Sequence, residues 1–152
     1  MIDARPTHFL LAEDDPDHVV LVKRAMRSAR IVNTIDVVND GVETMEYLRR
    51  EGEFADAPRP DVILLDLKMP KIDGLEVLRR VKSDPELSVT PVVMMTTSDA
   101  ESDRARAYEH RANSYLVKPL EFDQFQDMVR QLSMYWTIWN QPPPALLNGA
   151  TG

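Results

Sequence analysis

A continuous apolar run, Val62-Ile63-Leu64-Leu65, lies between Pro60 and Pro70 and ends on a lone carboxylate, Asp66. The run does not alternate, so a strand formed here must be covered on both faces, which is the signature of a parallel sheet. Asp66 then sits at the carboxyl edge of that sheet. In open α/β sheets this edge is where loops converge on a crevice and ligands bind.

The remaining chain supplies matching elements. His8 to Ala12 reads as a strand ending in Glu13-Asp14-Asp15-Pro16, with Asp15 as cap and Pro16 in the first helical position of a helix running to about Arg30. A second strand is expected over Thr34 to Asn39, then a helix from Val42 to Arg50 stopped by Gly52. Residues 53–60 are polar and proline-rich and read as a surface loop. After the strand ending at Asp66, Asp73-Gly74 reads as a turn and helix start, followed by Leu75, Val77, Leu78 and Val81 at helical spacing up to Pro85. Further strands are expected at Pro91 to Met95 and Ser114 to Val117, with helices near Glu101 to Ala112 and from Glu121 to about Trp139. Five strands alternating with five helices imply an α/β, flavodoxin-like (βα)5 fold, a parallel sheet in the order 2-1-3-4-5 with helices on both faces. Glu13, Asp14 and Asp66 meet at its one switch point.

Length and charge narrow the function. A chain of 152 residues suits one core, and the expected organisation is one domain over residues 1–140 with a proline-rich arm or tail over 141–152 and no output domain. A net charge of −7 disfavours direct nucleic-acid or anionic-membrane binding. Without cysteine there is no disulfide framework and no thiolate site. The beginning, Met1 to Pro6, lacks the apolar segment of a secretory signal, and no run reaches the ~18 apolar residues of a membrane span, so a cytoplasmic protein is expected.

Three carboxylates packed together repel one another unless neutralised. A hard cation such as Mg²⁺ does this with one or two carboxylates, waters and a phosphate oxygen. Thr96 and Lys118, each after a strand, offer the hydroxyl and the ammonium that phosphoryl oxygens need. A carboxylate nucleophile can form an acyl phosphate. His8, His18 and His110 lie in separate elements without metal spacing and read as ordinary surface or edge histidines.

An acidic pair, an Asp before x-x-Met-Pro-x-x-Asp-Gly, then Thr96 and Lys118-Pro119 at 30 and 52 residues beyond Asp66, resemble the receiver domain of two-component response regulators over roughly Thr7 to Trp136. The resemblance implies Asp66 as phosphoacceptor, Glu13, Asp14 and Asp66 around Mg²⁺ with the Lys68 backbone carbonyl as a further ligand, and Thr96 and Lys118 on the phosphoryl oxygens. It implies a cis Lys118-Pro119 bond, and Thr96 and Tyr115 as the switch pair relaying the change to the helix 4/strand 5/helix 5 face. Thr97, where many receivers carry alanine, and Lys68, a second cation, depart from the commonest pattern. The GEFADAPRPDVILLDL and RANSYLVKP segments, TTS after strand four and the aromatic end of the last helix are similar to single-domain regulators paired with bacterial phytochrome histidine kinases. Such a kinase is the implied phosphodonor, and the resemblance implies a phosphoacceptor signalling protein and not an enzyme, with self-catalysed phosphotransfer and slow autodephosphorylation only.

In the last helix Phe122, Phe125, Val129, Leu132, Trp136 and Trp139 form one apolar stripe, with Met128, Tyr135 and Ile138 off it. That leaves excess apolar surface. A symmetric homodimer through Met128, Tyr135, Trp136, Ile138 and Trp139, with the arm, is the expected cover. Two other readings compete: a phosphorylation-independent dimeric scaffold, and a haloacid-dehalogenase-like phosphatase, whose nucleophilic Asp would belong to the first strand.

Overall fold

The computed structural model describes residues 6–30 and 32–144. Its strands are β1 (Thr7–Ala12), β2 (Asn33–Val38), β3 (Val62–Leu65), β4 (Val92–Thr96) and β5 (Ser114–Val117). They alternate with α1 (Pro16–Ser28), α2 (Gly41–Arg49), α3 (Gly74–Ser83), α4 (Glu101–Glu109) and α5 (Phe122–Met134). All neighbouring strands run parallel in the order β2-β1-β3-β4-β5, as the apolar run and the alternation of elements imply.

Because successive side chains of a strand point to opposite faces, each apolar run feeds two cores. Leu10, Ile63, Leu65 and Met94 pack on one face with Met45, Leu48, Val77, Leu78 and Val81 from α2 and α3. Phe9, Leu11, Val62, Leu64, Val93 and Met95 pack on the other with Val22, Met26, Phe125 and Val129 from α1 and α5. Each fully buried side chain of this kind contributes about 1.5–3 kcal/mol. These two layers hold the strand ends in fixed register. The site is built on those ends.

Helix starts reflect the local chemistry. Asp15 caps α1 by accepting from the Asp17 amide at 2.9 Å, and Pro16 occupies the first turn. Asp40 accepts from the Glu43 amide of α2 at 2.7 Å while the Glu43 carboxylate reaches back to the Asn39 amide, just before the cap, at 3.2 Å. Asp73 caps α3 through the Glu76 amide at 2.9 Å.

Several boundaries differ from expectation. α2 is closed by Arg50 in the left-handed region (φ 56°), not by Gly52, whose own positive φ (57°) opens a 3₁₀ turn at Gly52–Phe54 inside the expected loop. A local hydrogen-bonded closure decided this end: the Arg50 amide donates to Tyr47 O and the Glu51 amide to Glu46 O. The Lys118-Pro119 bond is trans, since no cis peptide occurs among the described residues. The two forms of an X–Pro bond differ by only about 0.5–1 kcal/mol, so the sequence could not dictate the isomer.

The end of the last helix also departs from the stripe. Tyr135–Trp139 winds as a π-helix, with the Asn140 amide donating to Tyr135 O at 2.8 Å. The wider turn rotates Trp139 off the core face, leaving it 71% exposed, while Phe122 at the other end is 46% exposed. Met128 and Trp136 pack partly on the chain's own core, whereas Tyr135, Ile138 and Trp139 face outward. Of the arm, residues 141–144 carry no regular secondary structure; Ala145 to Gly152, like Met1 to Arg5, lie outside the described residues. No described helix is long and apolar enough to cross a membrane.

Candidate functional site

Four strand ends converge on one acidic hollow. Backbone bonds fix their register: Glu13 N–H to Val38 O at 3.0 Å, Asp66 N–H to Ala12 O at 3.1 Å, and Lys118 N–H to Thr96 O at 2.7 Å. Gly74 completes the frame, because its amide donates to Leu67 O at 2.7 Å and a side chain there would collide with the Asp66 carbonyl. This is why the Asp-Gly pair comes after Asp66 at its distance: the start of α3 is laid against the strand-end peptide.

Glu13 is buried, Asp14 is exposed and Asp66 lies between them in exposure. One carboxylate oxygen from each lies within 4.8 Å of the others. Lys118 enters from the end of β5, almost wholly buried, and its Nζ donates to Glu13 Oε1 through a short contact and to Asp66 Oδ2 at 3.2 Å. Asp66 Oδ1 accepts a longer bond from the Lys68 amide at 3.4 Å. Burial pushes the Glu13 carboxyl above its usual range, the neighbouring Asp66 adds to this, and Lys118 opposes it.

Three carboxylates against one ammonium leave the hollow negative. That donor set, all oxygen and compact, fits a hard divalent cation such as Mg²⁺.

Thr96 closes β4 and is buried, with its hydroxyl oxygen accepting from the Ser98 amide at 3.3 Å. Tyr115 reaches across from β5 and donates its hydroxyl proton to Ser98 O at 3.0 Å; burial raises its pKa. Ser98 in turn donates to Asp103 Oδ2 of α4 at 2.6 Å, so the loop after Thr96 is tied both to Tyr115 and to α4. Lys68 and Thr97 project outward as exposed side chains.

Two histidines escaped the sequence reading. His18 is no free surface residue: its Nδ1 lies 2.8 Å from Lys118 Nζ, at the edge of the acidic hollow. His8 is buried, with Nδ1 2.7 Å from Thr34 Oγ1 and Nε2 2.7 Å from Tyr47 OH. Neither contact carries a spacing signature, because the partners are 100, 26 and 39 residues away in sequence.

A five-stranded parallel sheet of this order, with an acidic hollow, a buried lysine and a hydroxyl at its strand ends, has the architecture of a signalling receiver domain. The chain belongs to the response regulator receiver domain family, which it matches over residues 9–130. It is 37% identical over 131 residues to the response regulator Rcp1 of Synechocystis, covering 86% of this chain and 89% of that one. It is 40% identical over 139 residues to the probable methanogenesis regulatory protein FilR2 of Methanothrix harundinacea, covering 91% and 88%. Among solved structures, the phosphorylated cyanobacterial phytochrome response regulator RcpA superposes with a TM-score of 0.88 at 38% identity, covering 92% of this chain and all (100%) of that one. The Mn²⁺-bound form of Rcp1 gives 0.87 at 36% identity, covering 91% and 100%. The bacteriophytochrome response regulator RtBRR gives 0.72 at 41% identity, covering 97% and 96%.

Proposed function

We propose that this chain is a single-domain response regulator that accepts a phosphoryl group on Asp66 from the phosphohistidine of a sensor histidine kinase of the bacterial phytochrome class. The observation that carries the reading is the approach of Lys118 Nζ to Asp66 Oδ2, 3.2 Å, at the rim of a three-carboxylate cluster. In the transfer an Asp66 carboxylate oxygen bonds to phosphorus while the phosphorus–nitrogen bond to the donor imidazole breaks, and the product is an acyl phosphate.

Mg²⁺, held by Glu13, Asp14, Asp66 and the Lys68 carbonyl, would supply charge neutralisation for the incoming phosphoryl oxygens. Lys118 holds the Asp66 carboxylate in place and offers a cation to those oxygens. Thr96 offers its hydroxyl to a third. Drawing Thr96 toward the phosphoryl group disturbs its bond from the Ser98 amide, and Ser98 is the residue that Tyr115 and Asp103 hold. The change is thereby passed to α4, β5 and α5, as a shift between two conformations.

Tyr135, Ile138 and Trp139, exposed together at the end of the chain's last helix, support a homodimer through that face. The relatives named for phytochrome signalling support the choice of kinase. The protein acts in the cytoplasm and binds neither nucleic acid nor membrane directly, in keeping with its net charge of −7. Its organisation is one receiver over residues 1–140 followed by a proline-rich segment over 141–152.

Intact-mass spectrometry after acetyl phosphate and Mg²⁺, on wild type and Asp66→Asn, tests the reading. One phosphoryl adduct in wild type and none in the variant is expected. An unlabelled wild type would leave the phosphorylation-independent dimeric scaffold as the account. Steady turnover of phosphate esters would favour the phosphatase reading.

A further inference from the structure

Lys118 has three N–H donors, and each meets an acceptor: Glu13 Oε1, Asp66 Oδ2 at 3.2 Å and His18 Nδ1 at 2.8 Å. From this donor count we infer that His18 is a positioning residue for the phosphoryl-transfer site, holding the Lys118 ammonium while its other partners change. The inference rests on the reading of Asp66 as phosphoacceptor.

The ring is itself fixed. His18 stands in the first turn of α1, with its ring centroid 6.0 Å from that of Phe125 on α5. An ammonium only donates, so Nδ1 is the acceptor in this contact, while Nε2 lies 3.7 Å from Asp15 Oδ2. The helix cap Asp15 and the core residue Phe125 thus bracket the imidazole on two sides.

His18 differs from the other two acceptors in two ways. Glu13 and Asp66 belong to the cation-binding cluster, so both change partners when a cation or a phosphoryl group arrives. His18 is not among the three clustered carboxylates, and its Nδ1 stands nearer to Lys118 Nζ, at 2.8 Å, than to Glu13 Oε1, at 3.6 Å. An imidazole nitrogen accepting from Lys118 brings no negative charge, so it aims the ammonium without spending the positive charge that the phosphoryl oxygens need. A carboxylate in its place would add a fourth negative group beside the nucleophile. When Asp66 becomes an acyl phosphate it gives up its carboxylate charge, and one Lys118 donor turns to a phosphoryl oxygen. The bond to His18 lets that turn occur as a pivot.

The test compares wild type with His18→Asn, whose side-chain oxygen can replace the Nδ1 acceptor, and with His18→Phe and His18→Leu, which keep apolar packing against Phe125 without an acceptor. Two quantities are read: the line width of the Lys118 ammonium signal in ¹⁵N NMR of the cation-free protein, and the rate at which phosphoramidate with Mg²⁺ labels Asp66. Phe and Leu should broaden the ammonium signal and slow labelling about tenfold, the scale of one hydrogen bond to a charged group, while Asn should restore both to within about threefold of wild type. Equal loss in the Asn, Phe and Leu variants would assign the effect to ring packing and overturn the inference. Wild-type behaviour in Phe or Leu would overturn it as well. A wild type that fails to label refutes the phosphoacceptor reading instead, whereas the ammonium signal reports the His18–Lys118 bond without any phosphorylation, so the two failures are distinguishable.

Discussion

Replacing Gly74 with alanine should damage both the stability of the fold and the placement of Asp66. An added Cβ would stand 2.1 Å from the Asp66 carbonyl oxygen, 2.8 Å from Leu67 Cα and 2.9 Å from the Asp66 carbonyl carbon. Ordinary contacts between such atoms begin near 3.5 Å, so the start of α3 must retreat by more than about 1 Å. All three obstacles are backbone and cannot swing aside. The retreat also strains the bond from the Gly74 amide to Leu67 O, 2.7 Å, and lifts Val77, Leu78 and Val81 from the core. Overpacking of about 1–3 kcal/mol together with about 1 kcal/mol for the hydrogen bond gives a loss of roughly 3 kcal/mol. At this chain length that lowers Tm by roughly 10 °C. Gly52→Ala is the control: its φ is 57°, but nothing lies within 4 Å of the added Cβ, so only left-handed strain of about 1 kcal/mol applies. Thermal and urea unfolding of both variants would measure the contrast. If Gly74→Ala melts no lower than Gly52→Ala, the steric account of the Asp-Gly pair is wrong.

Three further outcomes are expected from the same geometry. Lys82 is buried with no carboxylate partner among the described residues and donates to Ser88 O, Thr90 O and Asn113 Oδ1 at 3.2, 3.0 and 3.3 Å, so Lys82→Met should cost about 2–3 kcal/mol in urea unfolding by stranding those acceptors; a change under about 0.5 kcal/mol would contradict this. Burial holds the His8 pKa below its ordinary 6.5 against the opposing pull of Asp36 and Asp61, so the unfolded chain takes the proton first: the stability contribution is whole above pH 6.5 and declines as pH falls through the folded value. Urea unfolding from pH 8 to pH 5 should therefore show a steeper decline in wild type than in His8→Gln, and parallel curves would refute it. Replacing Tyr135 and Trp139 together with serine should shift the sedimenting species from dimer toward monomer, and a wild type that already sediments as a monomer would remove the aromatic face as an interface.

Much of this molecule is legible along the chain because its signals are local. Val62–Leu65 announces a doubly covered strand, Asp15-Pro16, Asp40-Gly41 and Asp73-Gly74 announce helix starts, and alternation of these elements dictates a parallel sheet. From that order alone Glu13, Asp14, Asp66, Thr96 and Lys118 fall at strand ends, where one sheet edge brings them together. Helix ends were less legible, since Arg50 closes α2 with a left-handed backbone that its side chain does nothing to announce.

Only the tertiary structure decided the contacts whose partners are remote in sequence and carry no spacing rule. His18 meets Lys118 because α1 begins and β5 ends beside the same hollow, and His8 joins Thr34 and Tyr47 because β1, β2 and α2 adjoin. The π-helical turn at Tyr135–Trp139 moved Trp139 from the expected stripe into solvent, a one-residue change of phase that helical periodicity cannot foresee. Composition and pattern determine which face of an element is apolar, through the cost of leaving that surface in water. Packing geometry alone determines which single side chain stands beside a buried charge.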